Sequence, residues 1–144
     1  MRRTASLTIS LLALLTLASG MTVPNANALS PARVLTEPSF SNGAGDGLLR
    51  WATVGQQTMI KTTLFNTLDE LQPFVVILQV RDSNDVTTYI AWQSGILDPL
   101  GNSTIGVLWS PKEKSTYDVS AYAVSDFTAT HILSVGIKSE IVVR

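Results

Sequence analysis

Past Ala28 apolar side chains fall on every second position, the period of a half-buried strand, and no stretch shows the three-and-four spacing of a helix. In "TMIKTTLFN" Ile60, Thr62 and Leu64 share one face, with Lys61 and Thr63 on the other. In "PFVVILQVRD" Phe74, Val76, Leu78 and Val80 point inward. Val75 and Ile77, on the opposite face, are apolar too, which predicts a central strand partly covered on both sides. The turn residues of "DSND" follow, and Val86–Trp92 returns as the partner strand of a hairpin.

Three further strands follow in the same period. Ile105, Val107 and Trp109 share a face in "GNSTIGVLW". Tyr117, Val119, Ala121 and Ala123 face inward in "TYDVSAYAV", against Asp118, Ser120 and Tyr122. Leu133, Val135, Ile137, Ile141 and Val143 share a face in "ILSVGIKSEIVV", against Ser134, Gly136, Lys138 and Glu140. An edge strand over Arg33–Phe40, broken by Pro38, and a weaker strand over Leu48–Thr53 precede them. Seven or eight short strands with no helix predict an all-β domain, two antiparallel sheets packed as an immunoglobulin-like sandwich. An up-and-down barrel is the rival, disfavoured by the uneven loops.

The first 28 residues break this pattern. Arg2 and Arg3 precede an apolar run from Leu7 to Ala18, and small residues lead to Ala26-Asn27-Ala28. Basic start, apolar core and small residues are the parts of a secretory signal peptide, with cleavage expected after Ala28. The run is shorter than the roughly 20 residues of a membrane span. The expected organisation is a signal peptide over 1–28 and one sandwich domain over 29–144, secreted or held at the cell envelope without stable membrane insertion. Removing 28 of 144 residues leaves 116, with eight basic and eleven acidic side chains, a net charge of −3. That mild charge gives no footprint for nucleic acid or anionic lipid. There is no cysteine, so packing and hydrogen bonds must hold the fold.

Few residues carry candidate chemistry. Tyr117 opens a strand after the Trp109, Pro111 and "KEKS" corner, the placement of the corner tyrosine of immunoglobulin-like sandwiches. His131 is the only histidine, so neither a two-histidine metal site nor a blue-copper centre is possible. No Gly-x-Ser-x-Gly elbow is present. Asp69-Glu70, Asp98 and Glu113 fall in expected turns and form no assignable carboxylate pair. Asp82, Asn84 and Asp85 offer oxygens to Ca²⁺ only with help from Asp46 or Asp126, and are turn formers in any case. No cofactor and no enzymatic activity is expected. Asn102-Ser103-Thr104 is a glycosylation sequon, expected in a loop. Trp92 is expected in the core beside Ile90, with Tyr89 and Tyr122 outward as a candidate interface.

Several segments carry a resemblance: "VGQQTMI" (Val54–Ile60), Phe65-Asn66, "QPFVVILQVRDSNDV" (Gln72–Val86), "AWQSGIL" and "WSPKEKSTYDVSAYAV". In them the chain resembles exported immunoglobulin-like modules of archaeal secreted and cell-surface proteins, similar in fold to CARDB adhesion-type and fibronectin III-like domains. The resemblance implies a non-catalytic binding or adhesion-type module whose partner is a protein or cell-envelope component. Such modules are often repeated, and this chain holds one copy. Two alternatives stand beside that reading. One is a self-assembling subunit of a filament or surface layer, with Leu29–Phe40 or Ile132–Val143 as donor strand. The other is an accessory extracytoplasmic subunit of a membrane complex.

Overall fold

The computed structural model describes residues 33–129 and 131–144. The expected leader over 1–28 lies outside the described residues. Nine strands and no helix occur among those described: β1 (Arg33–Leu35), β2 (Ser39–Asn42), β3 (Trp51–Ala52), β4 (Thr58–Asn66), β5 (Gln72–Arg81), β6 (Thr87–Leu97), β7 (Asn102–Trp109), β8 (Ser115–Val124) and β9 (Ile132–Val143).

They form two sheets. In the first, β1 and β2 lie end to end along one edge of β4, and β7 pairs with the other. The second runs β3-β9-β8-β5-β6, antiparallel except where β3 pairs parallel with the end of β9. The interior is the set the alternation picks out: Ile60 and Leu64 of β4, Val76 and Leu78 of β5, Ile105 of β7 and Val119 of β8. Each such side chain taken fully from water contributes about 1.5–3 kcal/mol.

Two buried polar side chains of β4 are bonded, whereas the buried Ser41 hydroxyl of β2 has no partner among the described residues. Thr62 Oγ1 donates to Thr36 O at 2.7 Å. Asn66 Nδ2 donates to Glu70 O and Asp98 O at 2.6 and 3.0 Å, and its Oδ1 accepts from Leu68 N at 3.2 Å. One amide thus ties the β4–β5 turn to the β6–β7 turn. An unmatched buried amide would cost about 1–3 kcal/mol.

The edge segment is broken at Pro38 as expected, since proline lacks the amide a continuous ladder needs, and it forms the two strands β1 and β2. Other expectations need correction. Only Trp51 and Ala52 of the Leu48–Thr53 segment pair, and Leu48 is exposed. Val135 is exposed while both Leu133 and Ser134 are buried, because β9 advances three residues from Ile137 to Ser134 while β8 advances two from Ala121 to Ala123. That bulge flips the alternation. Among the described residues of the two segments read as strand donors, β1, β2 and β9 pair within this sandwich.

Candidate binding face

The hairpin β5–β6 decides which side chains reach the surface. Its tip closes with Asp82 N donating to Val86 O at 2.9 Å, and Arg81 then pairs with Thr87. Counting back without interruption would set Val76 opposite Trp92 and place Trp92 in the core. A bulge at Val80/Arg81 shifts the register by one residue, so Val80 faces Tyr89 and Ile77 faces Trp92. A shift of one moves every side chain of a strand to the other face. Trp92 and Ile90 therefore stand on the outer face, and Trp92 is 58% exposed. Tyr89 turns toward the interior edge, where its hydroxyl donates to Leu108 O at 2.9 Å and links the two sheets. Tyr89 and Tyr122 thus lie on opposite faces and do not form the expected pair.

The outer face of the five-stranded sheet is divided along its strands. One end holds the rows Arg81–Asp118–Glu140 and Gln79–Ser120–Lys138. The other holds Trp92–Ile77–Tyr122 and Ser94–Val75–Val124–Ile132. The Trp92 ring meets Phe127, from the β8–β9 loop, edge-on at 5.9 Å between centroids. Val75 is 3% exposed yet stands outside the interior cluster, so part of this face is a second, smaller packing unit. The Tyr122 ring crosses Gly136 so closely that a Cβ there would lie 2.5 Å from its Cε1. Ile90, Ile96, Phe127, Ile132 and Val135 surround this unit as exposed apolar groups, Ile132 at 76%.

The remaining candidates are placed elsewhere. Tyr117 is buried, its hydroxyl donates to Glu113 O at 3.0 Å, and its ring meets Trp109 edge-on at 5.1 Å. Burial raises the Tyr117 pKa above its ordinary 10.0, and the nearby Glu113 charge adds to the rise. Pro111 O accepts from Gly55 N at 2.8 Å and ties the corner to the β3–β4 turn. Beside it a concavity of about 400 Å³ is lined by Asp82, Tyr89, Trp109, Pro111, Glu113 and Tyr117.

A second concavity, of about 370 Å³, gathers Asp82, Asp85, Asp118 and Glu140. At the hairpin tip Asp82 Oδ1 accepts from Asn84 N and Val86 N at 2.9 and 3.0 Å, and Asp85 Oδ1 accepts from Arg81 Nη1 at 2.9 Å. These oxygens build the turn. Among the described residues no group of three or more His, Asp or Glu side chains could hold a metal ion. Asp126 Oδ1 accepts from Thr128 N in its own turn, and Asp46 belongs to the β2–β3 loop. His131 is exposed just before β9. Asn102 is exposed at the start of β7 rather than in a loop, and Thr104 Oγ1 shares a 3.0 Å hydrogen bond with Thr63 Oγ1. The aromatic cluster on the outer face was legible only as residue types, since its position depends on the bulge.

No protein-family model matches the chain, and no curated protein matches it in sequence. Solved structures do match in fold. The chain is similar to the C-terminal domain of Wzt at a TM-score of 0.63 and 9% identity, over 78% of this chain and 74% of that one. It is similar to the CARDB domain of a Pyrococcus furiosus protein, solved in complex with di-metal ions, at a TM-score of 0.51 and 14% identity, over 78% and 89%. It also matches part of a Listeria innocua beta-glucosidase at a TM-score of 0.54 and 12% identity, over 77% of this chain and 16% of that one. At these identities the likeness is one of fold, and the fold is the immunoglobulin-like β-sandwich.

Proposed function

We propose that this chain is an exported, non-catalytic module that binds a protein or cell-envelope component through the outer face of its five-stranded sheet. The observation that carries the reading is the exposed cluster around Trp92. Exposed Trp, Phe and Ile of this density are expensive to leave in water, and they mark contact surfaces. The signal-like leader supports export. Sugar stacking on the aromatic pair is the weaker chemistry, since the exposed groups of this face are chiefly Ile90, Ile96 and Ile132, with Ser94 and the Tyr122 hydroxyl as the polar groups of the two rows. The di-metal ions of the CARDB domain are not carried over, because Asp82 and Asp85 spend oxygens on the hairpin turn and on Arg81.

The test is a photo-crosslinking amino acid placed at Trp92 or at Thr104 of β7, on the opposite sheet, in the producing cells. Discrete adducts from position 92 and not 104, on protein recovered outside the cytoplasmic membrane, are expected. Equal or absent labelling at the two positions refutes the reading.

A further inference from the structure

We infer that the outer face of the five-stranded sheet docks onto the same face of a second copy of this chain, forming a two-fold symmetric, face-to-face dimer. This rests on the reading that the face is a binding surface, and it names the partner.

Register irregularities in two strand pairs supply the face. The bulge at Val80/Arg81 turns Ile90, Trp92 and Ile96 outward, and the shift between Ala121 and Ala123 leaves Val135 exposed on β9. Bulges re-aim side chains, and two of them delivering apolar groups to one side of one sheet exceeds what folding requires. The interior would keep more oil without them.

The size fits a dimer. Trp92, Phe127, Ile90, Ile96, Ile132 and Val135 are each more than half exposed. At full-exposure areas of roughly 150–250 Å² for large side chains, they present on the order of 700 Å² of apolar surface. A typical monomer's largest patch is about 300–600 Å², and one side of a standard interface is about 800 Å². Two such faces together reach the range of a specific interface.

The charges set the alignment. The charged end of this face holds Arg81 and Lys138 beside Asp82, Asp85, Asp118 and Glu140, a net charge of −2. The two-fold axis therefore keeps the acidic ends of the two copies apart and centres the contact on the apolar end. The rows Trp92–Ile77–Tyr122 and Ser94–Val75–Val124–Ile132 hold no ionised group, so the centre of the contact buries no charge. A lipid surface would call for a basic rim, and this acidic end does not supply one.

Sedimentation equilibrium of the purified protein, from low-micromolar to near-millimolar concentration, tests this. A monomer–dimer equilibrium is expected. Trp92→Ser should weaken it at least tenfold, as a central aromatic anchor does. Ile132→Lys, on the far side of the face from β6, should weaken it as much, and being an exposed change it keeps the fold. Leu71→Lys, exposed outside the face, should leave it unchanged. Strictly monomeric protein throughout overturns the dimer, and position-92 adducts to a different protein would then leave the binding reading standing. Association that Ile132→Lys does not weaken, but a proline in β6 abolishes, would show edge pairing and overturn the face-to-face geometry. Vesicle binding that depends on Trp92, by monomeric protein, would equally overturn it.

Discussion

At the scale of single residues, Tyr117 shows how one hydroxyl serves a corner. Its ring fills the interior beside Trp109, and its hydroxyl satisfies Glu113 O across four residues. Tyr117→Phe keeps the ring and orphans that carbonyl, so unfolding free energy should fall by about 1 kcal/mol in urea titrations. The same residue makes stability depend on pH. Its folded pKa is raised above the ordinary 10.0, chiefly by burial. Below the unfolded value both states hold the proton, and the contribution is fully present. Between the two values the unfolded chain releases the proton while the folded one keeps it, so stability falls as pH rises through the folded pKa. Titrations above pH 10 should show this decline, and Tyr117→Phe should remove its share. An unchanged decline in the variant would assign the slope to other groups. The placement of Tyr117 was readable from the Trp-Pro corner and the strand that follows, because both are local features of the chain.

At the scale of elements, alternation alone sorted β4, β5, β7 and most of β8 correctly, since one parity of each strand carries the larger share of its apolar residues. It failed on β6, whose apolar residues occupy both parities: Tyr89, Ala91 and Leu97 on one, Ile90, Trp92 and Ile96 on the other. Side-chain size favoured Trp92 inside. The register at the hairpin decided otherwise, because Leu78 points inward and its partner Ala91 must share that face. A bulge leaves no signature in residue type, so the binding face was not legible before the pairing was known. The close approach of Tyr122 to Gly136 belongs to this scale as well. Gly136→Ala drives a methyl to within 2.5–2.9 Å of the Tyr122 ring and should cost about 1–3 kcal/mol by overpacking. Replacing Tyr122 by Ala in the same chain should recover part of that loss, a coupling a double-mutant cycle reads directly. Additive losses would mean that the ring does not press on the strand.

At the scale of the whole molecule, no disulfide supports the sandwich, so local stability follows how each strand is flanked. Strands β4, β5 and β8 have partners on both sides, whereas β6 and β7 each present one free backbone edge. Hydrogen exchange should therefore be slowest in β4, β5 and β8, opening only with global unfolding, and fast at alternate amides of β6 and β7. Concentration then separates two ways of associating. Face-to-face docking buries side chains of β6 but leaves its outward amides in the plane of the sheet, so their exchange should stay fast as dimer forms. Edge pairing would give those same amides carbonyl partners and slow them. The exposed Asn102 lies on the opposite sheet, at the start of β7, so a glycan there would leave the face-to-face contact clear. Fast β6 edge amides under conditions where sedimentation shows dimer would mean that the second copy meets the oily side of this sheet and not its rim.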